Sequence, residues 1–190
     1  MTMGITVRTR MTAAAIALMP AMVASAASVA ETFTATASIK SPQANASAPV
    51  TINIDRLVSD ADRERIIAVV KGNDAAATRA ALTAMEDIGS IELGKQRTPI
   101  KYAYATPSGG GRLITVLTAA PVLFAGGSLP DAKPREGFDL ALAVLVVDAT
   151  GKGEGELAPA AKIKTNAQGA IVTEDYGREV IHLTGVSKVK

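Results

Sequence analysis

The sequence predicts an α+β domain: one antiparallel sheet of seven or eight strands, with a helical hairpin inserted after the second strand and packed on one face. Three observations carry this. Alternating apolar and polar residues rich in Val, Ile and Thr recur from residue 33 almost to the end of the chain. A single region, Ser59 to Ile88, instead repeats its apolar residues at helical spacing. Turn residues punctuate the strand-like stretches, with "PSGGG" and "NAQG" the clearest cases.

"FTATASI" (33–39) and "VTINIDRL" (50–57) have the pattern of strands with one wet face. The link "KSPQANASAP" between them predicts a loop, and its Asn45-Ala46-Ser47 match to a glycosylation acceptor reads as chance. Ser59 is placed to cap a helix, because Asp60, Asp62 and Glu64 follow in the first turn, where the helix dipole favours negative charge. Ile66, Ile67, Val69 and Val70 supply its buried side and Gly72 its stop. Asp74 then caps a second helix, "AAATRAALTAMEDI", with Leu82, Met85 and Ile88 at three-residue spacing.

From Thr98 the strand pattern returns in "TPIKYAYAT" and "RLITVLTA", joined by the "PSGGG" hairpin turn. "FDLALAVLVVD" (138–148) predicts a central strand covered on both faces, with Phe138, Leu140, Leu142, Val144 and Val146 on one of them. "GEGELAPAAKIKT", "AIVTEDY" and "REVIHLTGVSKV" complete the sheet, linked by "NAQG" and by Gly177.

The first thirty residues have a separate purpose. Arg8 and Arg10, the apolar run from Met11 to about Ala24 and the small residues after it have the three-part layout of a secretory signal. Cleavage is expected after Ala26 or Ala30. The run is too short for a spanning helix and is broken by Pro20. The expected mature protein is therefore one exported domain of residues 31–190, periplasmic or extracellular, with no transmembrane anchor. Its net charge falls from +2 for the whole chain to about zero. Three Phe, three Tyr and no Trp on a near-neutral chain argue against a nucleic-acid surface. The lack of cysteine excludes disulfides, thiolate metal sites and cysteine nucleophiles.

Several stretches invite a chemical reading. "DATGKGEGEL" (148–157) looks like a phosphate cradle, yet GxxxxGK[ST] would need glycine where Val146 stands and Ser or Thr where Gly153 stands, followed by a helix. A turn is predicted instead. Asp148, Glu154 and Glu156 do not have the spacing of a calcium loop, and the two glutamates fall on one wet strand face. The lone His182, with one histidine and no cysteine available, gives no zinc site. If Gly177 makes a tight hairpin, Glu174, Tyr176, Arg178 and His182 approach one another, forming the best titratable cluster for a hydrolase or isomerase. Cross-strand surface pairs are the plainer expectation for those residues. The segment 121–137, "PVLFAGGSLPDAKPREG", is long for a connection in a compact domain; such loops are often binding loops or lids, and a plain crossover covering a sheet edge is the plainer expectation. Phe124, Lys133 and Arg135 are its candidate binding residues, for a partner protein or a small apolar or acidic ligand.

Asp55-Arg56 followed by "SDADRER", then "GGGRLITVLTAAPVLF", "DATGKGEGELAPAAKI" and Tyr176-Gly177 resemble a family of small uncharacterised secreted bacterial proteins. The resemblance implies one exported domain with a recurring "GKGEG" turn, and it implies no activity or catalytic residues. The functional expectation is a non-enzymatic binding domain without a cofactor. An envelope structural protein and, further behind, a hydrolase or isomerase are the alternatives.

Overall fold

Every strand among the described residues pairs antiparallel with its neighbours, and the two ends of the series meet. The structure, a computed structural model, describes residues 30–40, 45–122, 137–175 and 180–189. β1 (Glu31–Lys40) and β2 (Asn45–Ile54) pair in unbroken register from Glu31 opposite Ile54 to Lys40 opposite Asn45. Alternation decides their faces. Phe33, Ala37, Val50, Ile52 and Ile54 are buried on one side, while Thr34, Thr36, Ser47 and Pro49 are exposed on the other. β2 takes in half of the expected loop, including Asn45-Ala46-Ser47.

The helical hairpin follows β2 as predicted. α1 (Asp60–Lys71) is capped by the Ser59 hydroxyl, which accepts from the Asp62 amide at 3.1 Å, and it buries Ile66, Ile67 and Val70. α2 (Ala75–Thr83) is capped by the Asp74 carboxylate, which accepts from the Ala77 amide at 2.9 Å. It ends at Thr83, five residues before the expected Ile88. Ile88 is buried all the same, because its amide donates to the Ile100 carbonyl at 2.9 Å, and the ammonium of Lys101 donates to the Met85 carbonyl at 2.9 Å. The three-residue spacing of Met85 and Ile88 thus reflects a tertiary anchor instead of another helical turn.

β3 (Gly89–Leu93) was not expected. It fills the space between β2 and the first residues of β4 (Gln96–Ser108), which continues through β5 (Gly111–Thr118), β6 (Leu140–Val147) and β7 (Lys152–Thr165). β8 (Ile171–Asp175) and β9 (Ile181–Val189) complete the chain. β9 pairs with both β7 and β1, so β1 to β7 and β9 form a closed ring of eight strands. The sheet is therefore a barrel.

β8 and β9 do not pair with each other as a tight hairpin would require. β8 pairs with the far end of β7, from Thr165 opposite Ile171 to Lys162 opposite Asp175. β9 then pairs with the near end of β7, from Leu157 opposite Ile181 to Lys152 opposite Ser187. Both run along the same partner in the same direction, as successive pieces of one return strand. The "NAQG" turn behaves as predicted, with the Asn166 side chain accepting from the amides of Gln168 and Ala170 at 3.0 and 2.9 Å.

The wall of the barrel has two apolar sides over part of its circumference. Lumen positions include Phe33, Ile52, Ile91, Ile100, Ile114, Val116, Leu145, Leu157 and Leu183, all at most 1 % exposed. On the outer side, Tyr102, Leu117, Leu142 and Ala158 oppose one another across β4 to β7 and are also buried. The helices cover that outer patch: α1 contacts β7, α2 contacts β4, and Asp60 and Arg63 of α1 both engage Tyr104. This is the predicted helical hairpin on one sheet face. It also explains why "LALAVLVV" has no polar alternation at its start, since Leu140 to Ala143 are buried on both faces, while Val146 emerges at 46 % exposure. Elsewhere the outer wall carries Thr34, Thr36, Glu156, His182 and Thr184, all exposed, an arrangement opposite to that of a barrel whose outside meets lipid. Among the described residues, no helix is long and apolar enough to cross a membrane.

Candidate functional site

The chemistry-bearing residues fall into four places on this barrel. The first is the β5–β6 connection. Phe124, Lys133 and Arg135 lie outside the described residues, but the roots of the connection do not. Val122 is 2 % exposed and its amide donates to the Pro159 carbonyl of β7 at 2.9 Å. The Thr118 hydroxyl donates to the Ala120 carbonyl and accepts from the Ala141 amide, tying the exit of β5 to the entry of β6. At the other root Phe138 is 5 % exposed, and the Lys162 ammonium lies 5.3 Å from its ring centroid. Asp139 beside it faces Arg79 of α2 at 4.0 Å. Both stems are therefore fixed to the wall.

The second place is the "DATGKGEGEL" stretch, where a turn was predicted and a turn is found. The Gly151 amide donates to the Asp148 carbonyl at 3.0 Å, and Gly151 has φ +81°. The Asp148 carboxylate accepts from the Thr150 hydroxyl and from the amides of Thr150 and Lys152 at 2.7, 2.8 and 3.1 Å. These bonds, the Thr150 hydroxyl first, hold its carboxyl below the usual range. The amides that a phosphate would need are thus already occupied by the chain's own carboxylate. Glu154 and Glu156 lie exposed on the outer face, and among the described residues no three His, Asp or Glu side chains are grouped to hold a metal.

The third is the surface around His182. Because β8 and β9 run in line, Glu174 sits at a register shift opposite Lys162 and Ile163, whereas His182 sits opposite Glu156 of β7 and Ser38 of β1. Six residues of β7 separate the two positions, roughly 20 Å along a strand. Glu174 and His182 are therefore not brought together. Tyr176 and Arg178 lie outside the described residues. His182 is exposed on the convex wall, so His182→Ala is expected to change unfolding free energy by less than about 1 kcal/mol in urea titration. A larger loss would mean that the Ser38, His182 and Glu156 row is a bonded network.

The fourth place was missed in the sequence. Glu31, Arg112 and Lys188 face the lumen at the end of the barrel where β1 begins. One oxygen of the Glu31 carboxylate accepts from the Arg112 guanidinium and from the Lys188 ammonium, each at 2.7 Å. The guanidinium lies 5.9 Å from the centroid of the Phe33 ring. Burial alone pushes the Glu31 carboxyl up, but the bonds and charges of Arg112 and Lys188 outweigh it and leave the group below the usual range. The three residues are 81 and 76 positions apart in the chain, so only the closed register reveals them. The nearest sequence signal was the inward alternation of Glu31 with Phe33.

A shallow, open depression of about 350 Å³ lies between α1 and the β7–β8 turn, lined by Arg63, Ile67, Lys71, Gln168 and Gly169. Tyr102 and Tyr104 are poor candidates for proton transfer there or elsewhere. Burial pushes the Tyr102 hydroxyl up to about 12, and burial followed by the Asp60 carboxylate raises that of Tyr104.

The class that this geometry defines is a closed, eight-stranded antiparallel barrel with an external helical hairpin. Comparison of the chain with protein-family models, curated proteins and solved structures finds no match.

Proposed function

We propose that this protein is an exported, non-enzymatic binding domain, in which the barrel is a rigid frame for the 121–137 connection. The observation that carries this reading is the anchoring of both stems of that connection, at Val122 and at Phe138. A loop clamped at both roots loses less entropy on binding than one hung from frayed ends. Phe124 supplies an apolar contact, and Lys133 and Arg135 supply charge for a partner protein or a small acidic ligand.

The test is native mass spectrometry of the mature protein from the exported fraction of its own host, compared with a Phe124→Ala, Lys133→Ala, Arg135→Ala variant. The expected result is a bound species on the wild type that the variant loses while its Tm stays the same. A bound species retained by the variant would move recognition to another face, and a bare mass on the wild type would favour a structural role in the envelope. The intact mass of the same sample reports whether export cleaves after Ala26 or Ala30.

A further inference from the structure

We propose that Glu31, Arg112 and Lys188 form an acid-sensitive latch that holds the β1–β9 seam closed over the mouth of the barrel. The geometry is specific to closure. In the ring of eight, β1 and β5 are four strands apart in either direction, so the contact between Glu31 and Arg112 spans the lumen from opposite walls. Lys188 belongs to β9, the strand across the seam. Thus one carboxylate joins the first strand to its seam partner and to the far wall together.

The seam is weakest where the latch sits. A register shift between Thr34 and Thr36 isolates the last three pairs, Thr32 with Val189, Phe33 with Lys188 and Thr34 with Ser187, from the pairs below. β1 begins and β9 ends there, so the paired ladder stops at this point, and local opening costs least at such an end. Phe33 and Val186 lie just inside and are almost fully buried, so opening these pairs would uncover the lumen.

The charges give the device its sign. Arg112 and Lys188 each lie 2.7 Å from the same carboxylate oxygen, so their nitrogens are no more than twice that distance apart. With Glu31 ionised the set is attractive. With Glu31 neutral, two cations face each other with nothing between them. Ile54, opposite Glu31 on β2, contributes no charge. Because the folded carboxyl is held below its ordinary value, the latch stays closed at neutral pH and opens only as pH falls through that lowered value. Glu31 is partly shielded, at 11 % side-chain exposure, whereas Arg112 and Lys188 are about a third exposed, so salt also weakens the latch.

The experiment is residue-resolved amide hydrogen exchange on the full mature chain at pH 7 and low salt, with Glu31→Gln standing in for the neutral acid. Exchange at residues 32–34 and 187–189 is expected to rise at least tenfold, with residues 114–117 and 141–145 unchanged within twofold. Adding Arg112→Met and Lys188→Met to Glu31→Gln removes the repulsion and is expected to restore slow exchange at the seam. An equal rise at all sites, no rise, or no recovery in the triple variant would overturn the latch. If Glu31→Gln does not fold, the wild type decides alone: as pH falls below the ordinary glutamate range, exchange at the seam, corrected for intrinsic rate, must rise before that of the rest of the barrel. Simultaneous loosening would make the cluster an ordinary ion pair.

Discussion

Replacing Gly153 with alanine is expected to lower unfolding free energy by more than about 3 kcal/mol, although only one methyl group is added. A Cβ at this position would stand 1.8 Å from the Val146 carbonyl oxygen and 3.0 Å from the Val147 Cα, and both are backbone atoms of the neighbouring strand. No side chain can rotate away. Relief would require β6 and β7 to part. β6 has little room to shift the other way, since the Gly111 backbone of β5 lies so close that a Cβ there would stand 2.0 Å from the Val147 carbonyl oxygen. The end of β6 is therefore held between two bare backbones, which lets the wall bend tightly as it closes. Gly169→Ala is the control. Its φ of +74° is unfavourable for alanine, but nothing lies within 4 Å of the added methyl, so roughly 1–2 kcal/mol is expected. Urea unfolding of both variants measures the contrast, and a Gly153→Ala loss within 1 kcal/mol of wild type would reject this account of the "GKGEG" run.

That run shows what was legible in the sequence and what was not. The turn at Asp148 to Gly151 follows from local chemistry: an aspartate that caps its own turn and a glycine at positive φ. The role of Gly153 does not, because it depends on which strand lies alongside. The same division applies throughout. Ser59 and Asp74 announce their helices, and period-two alternation announces β1, β2 and β5, since each signal is complete within a few residues. Closure of the sheet depends on β1 meeting β9, and no short window of sequence contains both. The five residues of β3 are too few for alternation to stand out, and "AIVTEDY" and "REVIHLTGVSKV" look like two hairpin arms when each is read alone. The misplaced Glu174 and His182 cluster follows from that last error. The Glu31, Arg112 and Lys188 cluster was invisible for the complementary reason, because three ordinary surface-type residues become a unit only once opposite walls face each other.

Phe33→Ala is expected to cost about 3–5 kcal/mol and Leu82→Ala about 2–5 kcal/mol, and the two losses are expected to add within about 0.5 kcal/mol. Each side chain is fully or almost fully buried, Phe33 at 1 % and Leu82 at 0 % exposure. They serve different spaces. Phe33 fills the lumen beneath Arg112, on the face that β1 shares with Ile52 of β2. Leu82 lies on α2, which packs against β4 from outside, beside the patch formed by Tyr102, Leu117 and Leu142. The sheet wall stands between them, and a hydrogen-bonded wall closed on itself has no free edge through which one cavity can relax toward the other. Each truncation should therefore leave its own void, and the double variant both. Urea titration of the four proteins gives the coupling directly. A coupling above about 1 kcal/mol would mean that the wall yields and that lumen and helix patch repack as one body. It would also weaken the latch, because a wall that shifts under an internal cavity would not keep Arg112 in place opposite Glu31. Additivity would leave the barrel as a stiff ring with two independent apolar fillings, the frame on which both the anchored connection and the closed mouth depend.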